Sequence, residues 1–292
     1  MTAATPAATV APRATTGARS SRPRRFAFSC VCFGIGAVYL IPLAWTLSLS
    51  VRTNTDVFSN RIVPHSFRPA NFSDAWSQFG LGILFEHSAI ITVGTVVLAV
   101  LFSVLAAYGF SRYRTKMSEV VFIAILLGLM VPPAGVIIPF FVSMRQLHLY
   151  DSLLSVIVGE TAFALPLGIL ILRGFVDSIP VDLTDAARVD GATDWKAFWY
   201  VVFPLLKAPI ATVALFTTIS TWNGFLLPLV LLHDPQRSTL TVGLSRLQGQ
   251  YGALNLELVS AAAILAIIPI LVVFVAARRY YVQGLSAGAL KQ

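Results

Sequence analysis

The thirteen carboxylates of this 292-residue chain are unevenly placed. Four of them, Asp182, Asp185, Asp190 and Asp194, fall in a polar island reading DLTDAARVDGATDWKAFWYVVFP from Asp182 to Pro204, with Asp177 just upstream. Glu160 stands alone inside an apolar run. Carboxylates can serve acid–base catalysis, hold metal ions, or accept hydrogen bonds from donor-rich partners. The first two uses need companions at defined spacing. The four histidines, His65, His87, His148 and His233, are scattered, and none has metal-ligand spacing to another histidine or to a cysteine. Cys30 and Cys32 would point to different faces of one helix, which disfavours a mutual disulfide and reads as two small packing residues. No nucleophile–base pair can be nominated on spacing, and no G-x-x-x-x-G-K-[ST] run occurs, so the chain has no P-loop for ATP. The sequence therefore predicts no catalytic residue, no metal site and no cofactor on this chain. The island reads instead as a surface presented to a soluble partner.

The elements that must position these residues are apolar. Hydrophobic residues make up 57% of the chain and charged residues only 12%, against about a quarter charged in soluble domains. Several runs approach the roughly 20 residues that span a bilayer. The net charge of +8 does not point to nucleic acid, because the basic residues sit between apolar runs rather than on a soluble domain. Six spans are predicted over residues 26–48, 88–110, 120–141, 153–172, 209–232 and 258–277, which makes the chain an all-α polytopic membrane protein. Residues 1–25, rich in Ala, Thr, Pro and Arg and free of acids, are expected to be a disordered basic tail. The run that follows reads as a retained signal anchor. Residues 26–277 form the membrane domain, and 278–292 a second tail.

Lysine and arginine set the orientation. With the N-terminus inside, fifteen fall on the inner side and six on the outer. This excess predicts cytoplasmic N- and C-termini and a cytoplasmic island. Prolines and glycines interrupt several spans: Val131-Pro132-Pro133 and Pro139 in the third, Gly159 and Pro166 in the fourth, Gly224 and Pro228 in the fifth, Pro269 in the sixth. Backbone groups freed at such points must be satisfied within the protein or by water in a cavity. Ordinary kinking and helices splayed around a solute path both remain open. The loop between the first two spans is the longest and has room for an amphipathic piece near residues 75–84.

Within the island, Val181 to Asp190 reads as a short helix, preceded by Pro180 and ended by Gly191. Leu183, Ala186, Ala187 and Asp190 fall on one narrow face able to enter a protein cleft. Thr193 can cap a second helix leading to Pro204.

This segment resembles the EAA loop of permease subunits of ATP-binding-cassette importers, E-A-A-x-x-x-G followed by an apolar stretch and Pro. Within that family it resembles the carbohydrate branch of the maltose-permease second-subunit type. Asp185-Ala186-Ala187 stands in place of E-A-A, followed by Arg188-Val189-Asp190-Gly191-Ala192 and Phe203-Pro204. Ala106-Ala107-Tyr108 with Arg112 and Arg114, Leu172-Arg173-Gly174-Phe175, Thr221-Trp222-Asn223 and Gly284-Leu285-Ser286-Ala287-Gly288-Ala289-Leu290-Lys291 extend the likeness over nearly everything after residue 85. The resemblance implies a type I importer permease fold in a bacterial cytoplasmic membrane. It implies a coupling loop over residues 174–207 that docks on a separate cytoplasmic ATPase, present in two copies and holding the ATP and Mg. It also implies a second permease subunit as heterodimer partner and an extracytoplasmic sugar-binding protein. Asp185, Ala186, Ala187, Asp190, Gly191 and Pro204 are the expected coupling residues. The family glutamate is aspartate here, with its charge kept.

Glu160, Trp222 and Asn223 are the candidates for the solute path. A carboxylate within a bilayer costs roughly 2.5–3.5 kcal/mol and faces a cavity or a partner. Glu160 reads either as an acceptor for sugar hydroxyls or as the mate of a polar group on a neighbouring span or on the second permease. Trp222 can stack on a sugar face and Asn223 can donate and accept, or both can serve helix packing. A stand-alone ion- or proton-coupled carrier is the alternative function; it would favour inverted repeats and a carboxylate relay, whereas no internal repeat is visible.

Overall fold

The computed structural model describes the backbone of residues 22–57, 63–251 and 255–289, and the side chains of residues 29–57, 63–250 and 255–276. Among them there is no strand. The helices are α1 (Arg22–Ser50), α2 (Asn54–Val57), α3 (Asn71–Gln78), α4 (Leu81–Arg112), α5 (Lys116–Leu127), α6 (Pro133–Gln146), α7 (Leu153–Val176), α8 (Val181–Val189), α9 (Asp194–Ala197), α10 (Phe203–Leu205), α11 (Lys207–Trp222), α12 (Leu226–Leu231), α13 (Leu240–Tyr251) and α14 (Leu256–Ala289). A π turn, Phe198–Val202, joins α9 to α10. Among the described residues four helices are long and apolar enough to cross a membrane alone, and up to six spans result if each of two bent helix pairs counts as one.

The chain divides into two units, Met1–Trp45 and Thr46–Gln292. In the first, the described part of α1 is exposed from residue 29 to 45. Its helix begins at Arg22, inside the stretch expected to be a disordered tail; residues 1–21 lie outside the described residues. In the second unit, α14 continues as helix to Ala289, through most of the residues expected to form a C-terminal tail.

Two spans are not the single helices that hydropathy suggests. The expected third span is α5 and α6, which meet at 107° across a 3-10 turn and Val131-Pro132. Pro132 holds φ −69° and ψ 132° and starts α6 with Pro133 at its first turn, so the helix that entered cannot continue. The expected fifth span is α11 and α12, parted by Asn223, Gly224 and Phe225. The stretch Asp194–Leu205 precedes α11 at an angle of 72°. The amphipathic piece expected near residues 75–84 is the end of α3 and the start of α4, separated at Phe79 and by Gly80 with φ +58°.

The scaffold of the second unit is the pair α4 and α7, its most extensive helix contact. The buried face of α4 carries, beside Leu81, Leu84, Ile91 and Val104, a stripe of small residues: Ser88, Thr92, Thr95, Ala99, Ser103, Ala107 and Ser111. Hydrophobic attraction between helices is weak in lipid, so close approach along small side chains is what drives association there. Gly168 of α7 sits against this stripe. A Cβ there would collide with the Ser103 hydroxyl and come within 3.1 Å of Ser103 Cβ and 3.2 Å of Val213 Cγ1. Gly94 of α4 is equally tight, 2.9 Å from Ile157 Cδ1. Below this seam Leu172, Val176, Phe198, Val202 and Leu206 form one core; at the other end Ile91, Ile137, Val156, Leu227 and Leu231 form a second.

Gly174, by contrast, has nothing within 4 Å of where its Cβ would stand. Gly168→Leu is therefore expected to destabilise the protein by about 1–3 kcal/mol through overpacking. Gly174→Leu should leave stability unchanged or slightly raised through helix propensity. Thermal unfolding of the two variants in detergent checks the contrast; equal melting temperatures would remove the tight seam from the account.

Candidate functional site

Two places collect the chemistry. The first is the loop from Asp177 to Leu206, at the C-terminal end of α7. α8 runs from Val181 to Val189, one residue short of the expected helix. Pro180 in extended geometry precedes it, and Gly191 with φ +85° ends it. The Gly191 amide donates to the Arg188 carbonyl (3.0 Å) and the Ala192 amide to the Ala187 carbonyl (2.9 Å). These two bonds make a Schellman motif, and its left-handed residue favours glycine. Thr193 caps α9 as its sequence suggests, accepting from the Lys196 amide.

Side chains then hold the loop in shape. Arg188 bridges α8 to α9: Nη1 donates to Asp185 Oδ1 and Nε to Asp194 Oδ1, both at 2.9 Å. Asp194 is the main cause of a guanidinium pKa pushed above its ordinary value. Phe198, buried, stacks against Trp195 and packs on Tyr108 of α4 with ring centroids 4.8 Å apart. Thr184 is the buried residue of α8. Leu183, Ala186 and Asp190 are exposed and Ala187 half-buried, so the narrow face expected from the sequence is free. Asp185 is also exposed, and its hydrogen-bond partner is Arg188. Pro204 lies within α10.

Where α8 leaves α7, an ion-pair cluster ties the span ends together. Asp177 Oδ1 accepts from Ser111 Oγ (2.6 Å) and Arg114 Nη2 (2.7 Å). Arg173 pairs with Glu119 of α5, approaches Asp177 at 3.8 Å, and lies over the Phe122 ring at 4.0 Å. Burial pushes the Asp177 carboxyl up, but the bonds from Ser111 and Arg114 and the charges of Arg114 and Arg173 outweigh it and hold the group below its ordinary range. Apart from the i,i+4 approach of Arg173 to Asp177, these contacts join residues more than fifty positions apart, and the sequence did not foretell them.

The second place is a cavity of about 360 Å³ between α7 and α11. Glu160, Phe163, Phe216, Thr217, Ser220 and Thr221 line it, with Leu129 from the turn before α6. Thr217, Ser220 and Thr221 recur at i, i+3 and i+4, a polar stripe that the sequence carried and its reading missed. Glu160 is half-buried and, among the described residues, has neither a hydrogen bond nor an ion pair. It lies at the break between α11 and α12: a Cβ on Gly224 would stand 2.8 Å from Glu160 Oε1.

The other two path candidates are placed differently. Trp222 is buried on another side of α11, in a cluster with Leu81, Leu84 and Leu258, and its indole donates to the Ala266 carbonyl of α14 at 3.2 Å. It does not line the Glu160 cavity. Asn223 is exposed, but its Nδ2 caps the Ile219 carbonyl at 2.7 Å. Thr241 Oγ1 donates to the Gly224 carbonyl at 2.7 Å. These bonds satisfy carbonyls at the break, as backbone at membrane depth requires. Among the described residues no group of His, Cys, Asp and Glu could hold a metal ion.

Comparison with known proteins places this architecture. Residues 99–287 match the family described as binding-protein-dependent transport system inner membrane component. The melibiose/raffinose/stachyose import permease protein MelC of Bacillus subtilis (strain 168) is 34% identical over 258 residues, covering 88% of this chain and 93% of that protein. The diacetylchitobiose uptake system permease protein NgcG of Streptomyces coelicolor is 30% identical over 283 residues, covering 94% and 92%. In solved structures, the fold matches a chain of a bacterial ABC transporter involved in the import of the acidic polysaccharide alginate, with TM-score 0.78, 28% identity, and coverage of 91% of this chain and 100% of that one. With two bent spans, a capped loop helix and a match over most of its length, this chain belongs to the family of binding-protein-dependent transport system inner membrane components.

Proposed function

We propose that this chain is one of two permease subunits of an ATP-driven, binding-protein-dependent sugar importer in a bacterial cytoplasmic membrane. It supplies one wall of the translocation path and pairs with a second permease subunit that supplies the other. Both termini lie in the cytoplasm, in keeping with the distribution of Lys and Arg. α8 docks into a groove on one of two cytoplasmic ATPase subunits, which bind the ATP and Mg. A binding protein delivers the sugar from the far side. The names of the relatives, as import and uptake permeases for saccharides, support the sugar as cargo.

The observation that carries this reading is α8 itself. A helix of nine residues is too short to persist alone in water. Here it is closed by a Schellman motif, bridged to α9 by Arg188 and seated through Thr184, while the Leu183–Ala186–Asp190 face stays free. Such a rod can pass rigid-body motion from a docked motor to the spans above it. The Glu160 cavity is the companion feature. Its aromatic rings, hydroxyls and carboxylate suit a hydroxyl-rich cargo, and its size falls in the roughly 300–1,000 Å³ range of ligand pockets.

Purification of the intact assembly should recover a nucleotide-hydrolysing subunit with this chain; sugar movement by this chain without one would overturn the reading. Asp185→Ala should lower uptake several-fold while leaving the melting temperature nearly unchanged, because an exposed ion pair is worth about 0–1 kcal/mol. Unchanged uptake would take Asp185 out of the docking surface. Gly191→Val places a β-branched residue at φ +85°, at a local cost of roughly 1–2 kcal/mol. Sugar imported per ATP hydrolysed should fall in that variant, and a wild-type ratio would show that the helix end is not transmitting. Glu160→Gln should weaken the apparent affinity for cargo about ten-fold, read from uptake at graded sugar concentrations. Wild-type affinity and rate would remove Glu160 from the path.

A further inference from the structure

The Glu160 cavity carries a sign as well as a shape. Its wall is built from Phe163, Phe216, Thr217, Ser220 and aliphatic residues, and among the described residues no lysine, arginine or histidine lines it. Arg173 and Arg114, further along toward α8, are committed to Glu119 and Asp177. The hydroxyls nearby can donate to an anion but bring no positive charge. The Glu160 carboxylate thus enters the cavity without a counter-charge from the described residues. Its neighbour Gly224 leaves it uncovered, since any larger residue would place a Cβ against Oε1. Charges interact strongly over several ångströms where water is scarce.

We infer that Glu160 makes this cavity a charge filter, so that the cargo of this importer is a neutral or amino-bearing saccharide and not one carrying a carboxylate or sulfonate. Resting on the proposal that the cavity belongs to the sugar path, this assigns the charge class of the substrate. Hydroxyl and ammonium groups of a sugar can donate to the carboxylate, whereas a uronate would set a second anion against it.

The field can be read before the cargo is identified. In the intact importer, reconstituted in vesicles, Cys30 and Cys32 are replaced by serine and a single thiol is placed in the cavity as Ser220→Cys. Its rate of reaction is measured with a cationic and an anionic methanethiosulfonate, the trimethylammonium and sulfonate ethyl reagents, in the presence and absence of nucleotide. The measurement is repeated with Glu160→Gln added. The cation-to-anion rate ratio is expected to fall about ten-fold when Glu160 becomes Gln. A thiol that reacts with both reagents at a ratio indifferent to Glu160→Gln overturns the filter but leaves the cavity on the path. A thiol that reacts with neither reagent in any nucleotide state removes the cavity from the path, and the filter with it. Demonstrating that wild-type vesicles import a uronic-acid saccharide as fast as its neutral counterpart also overturns the inference.

Discussion

Close contact between α4 and α7 is the constraint on which the rest of this structure depends. In lipid there is little hydrophobic gain in bringing two apolar helices together, so their association rests on van der Waals contact and on how near the backbones can come. The small-residue stripe of α4 and the missing side chains of Gly168 and Gly94 allow that approach. The seam fixes α7 in rotation and height. Everything of functional interest is then hung on α7. Glu160 and Phe163 face the cavity, Gly159 lies against Phe140 and Leu227, and the last turn delivers Asp177 and the entry to α8. From Glu160 to Val176 is sixteen residues of helix, about 24 Å at 1.5 Å per residue. The carboxylate in the cavity and the loop helix therefore share one stiff element.

The two ends of that element are treated differently. Near α8 most charged groups are paired: Asp177 with Ser111 and Arg114, Arg173 with Glu119, Arg188 with Asp185 and Asp194. Individually the exposed pairs add little to stability. Their effect is geometric, because they join the ends of α4, α5 and α7 and fix the angle between α8 and α9. At the cavity the opposite holds. Among the described residues Glu160 is left without a mate, within a span where an uncompensated carboxylate is costly. α7 thus carries paired charges at one end and, among the described residues, an unpaired carboxylate at the other.

Much of this was legible in the residues. Six apolar runs, a helix at 181–190 stopped by Gly191, a cap at Thr193 and a lone membrane carboxylate all follow from composition, turn chemistry and hydropathy. The facing of residues within the spans did not. An apolar helix shows little periodicity, so the sequence did not say that Trp222 turns its indole to α14 and away from the Glu160 cavity. Prolines at 132 and 133 announced an interruption, but the 107° bend depends on how α6 packs against α7 and α12, which is tertiary. The expected face of α8 is free because Thr184, outside that set, became its anchor. The choice was made by the π turn packed beneath it, an element with no sequence signature.

The break between α11 and α12 shows how backbone is satisfied beside Glu160. Ending a helix at membrane depth exposes carbonyls that need donors. Asn223 turns its amide back onto Ile219, and Thr241 reaches over from α13 to the Gly224 carbonyl. Each of these side chains gives one donor to the backbone. Glycine at 224 is then required twice: once for the Thr221 carbonyl, 2.9 Å from where a Cβ would be, and once for Glu160 Oε1 at 2.8 Å. The same residue that permits the break keeps the carboxylate uncovered. Any substitution there would displace Glu160 or the end of α11, so the kink in the span and the chemistry of the cavity are a single feature of the fold.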